Sequence, residues 1–147
     1  MEGLFIINDK DMFKEYGVFL TEDRPGNFFN ISELLKPAQM KPYMAVSFRE
    51  EDGEKLPEVL PAPRMEPRDF TLYVAMIAQT PELFTANYSG FMGLIKSGWL
   101  TIRVSGIDKN YKVYYQGCSF YAPLTETDQG EVITRMKLKF REPQPTI

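Results

Sequence analysis

The sequence contains no histidine, one cysteine, one tryptophan and no apolar run long enough to cross a bilayer. Each absence closes a class of chemistry. Without histidine the commonest metal ligand and general base are missing, and a lone Cys118 forms neither an internal disulfide nor a cysteine-based zinc site. With nothing to activate it, Cys118 between Gly117 and Ser119 is expected to be a small buried apolar side chain. The opening Met1-Glu2-Gly3 carries no cationic region, and the short apolar stretch after it stops at Asn8, so no signal peptide is visible and a cytoplasmic product without membrane contact is expected. An excess of basic charge is missing too: 17 Lys and Arg against 20 Asp and Glu leave a net charge of −3, which exerts no general pull on nucleic acid. No cofactor and no catalytic residue are expected.

What is present favours sheet. An aromatic share of 14% suits pleated surfaces, and 147 residues make one domain, 1–147, large enough to bury a core unaided. The chain is organised around Phe70 to Val104, which reads as strand, helix, strand. Phe70, Leu72, Val74, Met76 and Ala78 alternate with Thr71, Tyr73, Ala75, Ile77 and Gln79, and both sets are mostly apolar, as in a strand inside a sheet. Thr80 stands as a helix N-cap, with Pro81 at the first helical position and Glu82 at the positive end of the dipole. Leu83, Phe84, Tyr88, Phe91, Leu94 and Ile95 form its apolar stripe, Gly90 and Gly93 mark a kink or a close backbone approach, and Gly98 is its left-handed cap. Trp99 to Val104 leaves as the next strand.

Before this unit, Leu4 to Ile7 and Tyr16 to Leu20 read as two short strands able to pair, with Asn8-Asp9-Lys10-Asp11 as a turn. Arg24 to Asn27 reads as a turn, Ile31 to Lys36 as a short helix capped by Asn30 or Ser32, and Tyr43 to Arg49 as a strand. Phe28 and Phe29 are expected to pin the irregular stretch to the core or to a neighbour. Pro57, Pro61, Pro63 and Pro67 then forbid helix and central strand alike, so this segment is an extended surface arm or a long loop, the kind of element that binds. After the helix, Tyr111 to Tyr121 (with Gly117 as a bulge) and Glu131 to Phe140 complete a β-meander with the strand at Trp99. The fold expected is mainly β, a β-sandwich or partly closed barrel with one flanking α-helix at about residues 81–97.

Candidate sites have plain alternatives. The carboxylates Glu50, Glu51, Asp52 and Glu54 in one turn, and Glu126, Asp128 and Glu131 in another, match no calcium loop, and nothing fixes two of them about 5–10 Å apart for glycoside hydrolysis. They read as solvated turns. Arg135, Lys137, Lys139 and Arg141 line one side of the last strand, either as a solvated face that guards an edge or as a subunit contact that meets an acidic stretch such as Glu50 to Glu54 on a neighbour. Tyr111, Tyr114, Tyr115, Phe120 and Tyr121 read as core plus sheet surface, with stacking on a ligand as the alternative.

The order of Phe5-Ile6-Ile7-Asn8-Asp9-Lys10-Asp11, Tyr16-Gly17-Val18, a long irregular connection, Arg68-Asp69-Phe70-Thr71-Leu72, one helix and a meander ending Met136-Lys137-Leu138-Lys139-Phe140 resembles the amino-terminal domain of bacteriophage distal tail proteins and, more loosely, tail-tube proteins. It departs from them in its Asn-Asp turn and in a connection richer in proline, and with 147 residues it is expected to be the ring-forming part alone, lacking the second, lectin-like domain of the larger distal tail proteins. The resemblance implies a β-sandwich with a flanking helix that assembles as a hexameric ring around a DNA channel and docks to other phage tail proteins, in a phage or prophage tail. It implies no catalysis. Ring closure needs a heterologous interface, for which the candidates are Arg64 and Met65 in the arm and Arg135, Lys137 and Lys139 on the last strand. A mildly acidic ring also avoids the tight phosphate binding that would stall DNA. The alternative function is a β-sandwich module that binds a carbohydrate or other small ligand.

Overall fold

The computed structural model describes residues 2–22, 28–122 and 125–146, so the turn expected at Arg24 to Asn27 lies outside the described residues. The elements run β1 (Phe5–Ile7), β2 (Lys10–Asp11), α1 (Met12–Tyr16), β3 (Val18–Leu20), α2 (Phe29–Leu35), β4 (Arg68–Ala78), α3 (Pro81–Ile95), β5 (Leu100–Val104), β6 (Tyr111–Tyr121), β7 (Thr125–Glu126) and β8 (Val132–Glu142). The architecture is mainly β, as the alternation of apolar residues predicts. One antiparallel sheet takes the order β2-β1-β5-β6-β8-β4-β3, with β7 beside β8.

Its axis is the pairing of β4 with β8, in register from Arg68 opposite Glu142 to Ala78 opposite Val132. Core residues therefore face core residues: Phe70 lies beside Phe140, Leu72 beside Leu138 and Val74 beside Met136, all buried. The sheet turns over at β6, which pairs with β5 through Tyr111–Val113 and with β8 through Tyr114–Tyr121, and this wraps both halves around one core. Its two ends, β2 and β3, are not hydrogen-bonded to each other. The short helix α1 fills the gap between them and packs on α3. Asp11 starts α1 by accepting from the Phe13 N–H, and Gly17 ends it in the left-handed region at φ 70°. Gly17 also runs so close to β4 that a Cβ would lie 2.2 Å from the Ile77 carbonyl oxygen.

Helix α3 keeps its expected N-terminus, where Thr80 accepts from the Leu83 N–H at 3.1 Å, and buries Phe84, Phe91 and Ile95. It ends at Ile95 with Lys96 as a right-handed cap, earlier than residue 97, and Gly98 turns the chain afterwards with φ 125°. The close approach foreseen at the helix glycines occurs at Gly90, against the Tyr16 ring, and at Gly93 there is open space. Two short helices join it, so among the described residues α3 is the longest of three. The two opening strands do not pair: β1 lies between β2 and β5, β3 lies on β4, and they sit near opposite ends of the sheet. The turn after β1 has both Asn8 and Asp9 at positive φ, 52° and 64°, the geometry of a tight hairpin that Asn and Asp tolerate.

Helix α2 starts at Phe29, ahead of both expected caps, so its N-cap position falls on Phe28, which offers no side-chain hydrogen bond, and Asn30 lies inside the helix. From Arg68 to Tyr73, ahead of the pairing with β3, the outer edge of β4 has no strand beside it among the described residues, and α2 covers that edge with side chains. The Asn30 amide oxygen accepts from Tyr73 N–H at 2.7 Å, its nitrogen donates to the Tyr73 and Thr21 carbonyls, and Glu33 accepts from Thr71 N–H at 2.9 Å. A side-chain amide here imitates a paired strand and closes the edge to other chains. Asn30→Ala is expected to strand the buried Tyr73 N–H and to lower stability by about 2–3 kcal/mol, read as a lower urea midpoint at unchanged slope. Gly17→Ala is expected to cost at least as much, because it adds both a clash and left-handed strain.

Candidate functional site

The arm is clamped at its root. Arg68 opens β4 just after the arm, and its Nη1 donates to the carbonyls of Leu34, at 2.9 Å, and Lys36, where α2 gives way to the arm. Its Nε stands 3.2 Å from a Glu142 oxygen at the end of β8, with both side chains almost wholly buried. This contact is electrostatic and not a directed hydrogen bond. Lys109 approaches the other Glu142 oxygen at 3.6 Å, and Tyr111 donates its hydroxyl to the Leu34 carbonyl at 2.9 Å. Two cations thus share one carboxylate, and Arg68 alone also takes the carbonyl end of a short helix, with the rings of Phe70 and Tyr111 against its guanidinium. Burial pushes the Tyr111 phenol above its ordinary range, with Arg68 pulling the other way. Burial pulls the Lys109 ammonium below its ordinary range against the attraction of Glu142.

From this clamp the chain leaves as a long, open hairpin. Glu66 N–H donates to Gln39 O and Lys41 N–H to Arg64 O near the base, and Val46 and Lys55 exchange a pair of backbone bonds near the tip. Between these points Pro57, Pro61 and Pro63 offer no N–H, so no ladder forms, and the strand expected at Tyr43 to Arg49 is reduced to a single bridge at Val46. From Lys41 to Met65 every residue except the half-buried Tyr43 is exposed. Met44 is 94% and Val59 85% exposed, and Val46, Phe48, Leu56 and Leu60 are also open to water. A cleft of about 430 Å³ opens between the limbs, lined by Tyr43, Met44, Pro57, Pro61 and Arg64 among others. Met65 bridges Met40 at the base and is 37% exposed.

The second surface is the outer face of β6, β8 and β4. Here β8 lies inside the sheet with β6 and β4 on either side, so its basic residues guard no edge. Lys137 is held among the rings of Phe29, Tyr73 and Phe120, 5.1–5.9 Å from their centres. Arg141 pairs with Asp69 at 3.3 Å. Arg135 and Lys139 stand in solvent. Trp99, 57% exposed, meets Tyr114 edge to face, and Lys112 lies 4.9 Å from the tryptophan ring centre. Bulges at Tyr115/Gly117 and Cys118/Phe120 twist the second half of β6, and among the described residues no strand pairs with the side of that half that faces away from β8. Cys118 is consequently exposed rather than buried, as are Phe120 and Tyr121.

The structure keeps the five interface candidates on two separate surfaces: Arg64 and Met65 on the arm, Arg135, Lys137 and Lys139 on the sheet. Sequence reasoning missed the Trp99, Tyr114 and Lys112 group, which only the pairing of β5 with β6 brings together, and it missed the Arg68 clamp. The acidic turns hold no converging carboxylates; Glu51 pairs with Lys55 at 3.0 Å on the surface. Among the described residues no group of His, Cys, Asp and Glu is arranged to hold a metal ion, and no helix is long and apolar enough to cross a membrane.

No protein-family model matches the sequence, and no curated protein matches it significantly. In three dimensions the chain is similar to the crystal structure of SPP1 Dit (gp 19.1), described as a paradigm of the hub adsorption apparatus in phages that infect Gram-positive bacteria. The TM-score is 0.52 at 14% identity, over 95% of this chain and 50% of that one. The likeness is one of fold, and the chain spans half the length of that protein.

Arg68→Met leaves Glu142 buried with only Lys109 and is expected to cost about 3–5 kcal/mol in urea unfolding. Tyr111→Phe loses one buried hydroxyl bond, about 1 kcal/mol near neutral pH. Because the folded chain keeps the Tyr111 proton that the unfolded chain releases near pH 10.0, the wild-type advantage is full below that pH and shrinks above it.

Proposed function

We propose that the chain is a structural component of a phage or prophage tail, a single tail-tube-like β unit that assembles with copies of itself, six to a ring, and docks to other tail proteins. It performs no catalysis and binds no nucleic acid by sequence. The observation that carries this reading is the arm: a proline-stiffened hairpin with its apolar side chains in water, mounted on a fold shared with a phage tail hub protein. Exposed apolar surface of this kind is costly in a monomer and is relieved when a partner covers it. An arm and a sheet edge on β6 that is unpaired among the described residues also supply the two unlike surfaces that ring closure needs. On this reading the protein is made in the cytoplasm and ends in the virion tail, and Arg64 and Met65 belong to the contact between neighbours.

The alternative, a carbohydrate-binding module, finds less support in the geometry. Trp99 and Tyr114 cross at 83° and present no flat platform on which a sugar ring would stack.

Light scattering over a concentration series at low and moderate salt tests the proposal. The expected result is a discrete species of six 17.0 kDa chains, or a monomer that moves toward it on concentration. Val59→Asp, at a side chain 85% exposed, is expected to weaken that association by roughly tenfold while leaving the thermal midpoint unchanged. A strict monomer throughout contradicts the ring.

A further inference from the structure

The arm ends in charge as well as apolar surface. From Phe48 to Lys55 four carboxylates face two cations, and once Glu51 has paired with Lys55, Glu50, Asp52 and Glu54 are left without ion-pair partners among the described residues. Phe48, half exposed, stands at the same end. The outer sheet face has the opposite make-up. Among the described residues Lys112, Arg135 and Lys139 are exposed cations without acidic partners, Asp69 is already taken by Arg141, and Trp99, Tyr114 and Phe120 expose ring surface on the same face. An acidic tip with one aromatic ring and a basic face with three are complementary in charge and in apolar character.

We infer that this face is the seat of the arm tip of a second copy of the chain. The inference rests on the ring reading and names its contact: Glu50, Asp52 and Glu54 of one subunit against Lys112, Arg135 and Lys139 of the next, with Phe48 against the exposed rings. Reach permits it. Each limb, from Gln39 to Gly53 and back to Glu66, extends at most roughly 45 Å, more than the width of a domain of this size. The contact is also heterologous, tip to face, so each subunit offers one surface and receives the other, as a closed ring requires. Trp99, the only tryptophan, lies in the proposed seat and reports on it directly.

The test uses two charge-reversed full-length chains: a tip variant with Glu50→Lys, Asp52→Lys and Glu54→Lys, and a face variant with Lys112→Glu, Arg135→Glu and Lys139→Glu. All six positions are exposed, so both chains should fold, which circular dichroism verifies. Association is followed by light scattering and by Trp99 fluorescence. Each variant alone should associate at least roughly tenfold more weakly than wild type, and an equimolar mixture should recover assembly together with the tryptophan change, since every tip then meets a face of opposite sign. Raising salt should weaken wild-type assembly. Assembly that is indifferent to both reversals overturns the inference and leaves the ring standing. A tryptophan signal independent of concentration puts the tip on its own sheet and overturns docking between copies. A wild type that never associates defeats ring and contact together.

Discussion

The guanidinium of Arg68 lies at the point where α2 ends, β4 begins and β8 finishes, and three distant parts of the chain are held there by one side chain. It ties the carbonyls of Leu34 and Lys36 to Glu142 and stacks on Phe70 and Tyr111. Burying such a charge is expensive, and it is tolerated only because a carboxylate and helix-end carbonyls surround it. A well-packed apolar residue could hold the sheet as firmly. What the ionic arrangement adds is direction: it brings the two roots of the arm together, so a segment with almost no secondary structure of its own leaves the body at a fixed place.

Around this clamp the molecule divides into a closed part and an open part. The β4–β8 pairing, α1 and α3 bury a continuous core, and α2 seals the exposed edge of β4 with Asn30 and Glu33. The arm and the second half of β6 do the reverse, leaving methionines, valines and aromatic rings in water and, among the described residues, a strand edge unpaired. A chain that protects one edge with this care and leaves another open is consistent with a body stable by itself and surfaces completed by neighbours.

The strands and α3 were legible in the sequence because periodicity reports burial directly: the alternation in Phe70 to Ala78 and Val132 to Phe140, and the Thr80-Pro81 start, all reappear in place. Misreadings arose where a distant residue decides the local structure. Tyr16 looks like the start of a strand until Gly17 is found against Ile77. Asn30 looks like a cap until it is found paired to Tyr73, forty-three residues away. The basic stripe on β8 was visible, but not that rings of three other segments hold Lys137 or that β8 lies inside the sheet. Cys118 was misread because nothing local announces that the β6 bulges leave its neighbourhood uncovered.

Hydrogen exchange in the arm tests the central claim most directly. In dilute solution the arm amides between residues 39 and 66, apart from the few bonded at Lys41, Val46, Glu51, Lys55 and Glu66, are expected to exchange almost as fast as an unfolded chain. At concentrations where the chain associates, the same amides are expected to become protected. An assembly in which the arm exchanges as freely as in the monomer would contradict the account, since the surface built to be covered would have stayed bare.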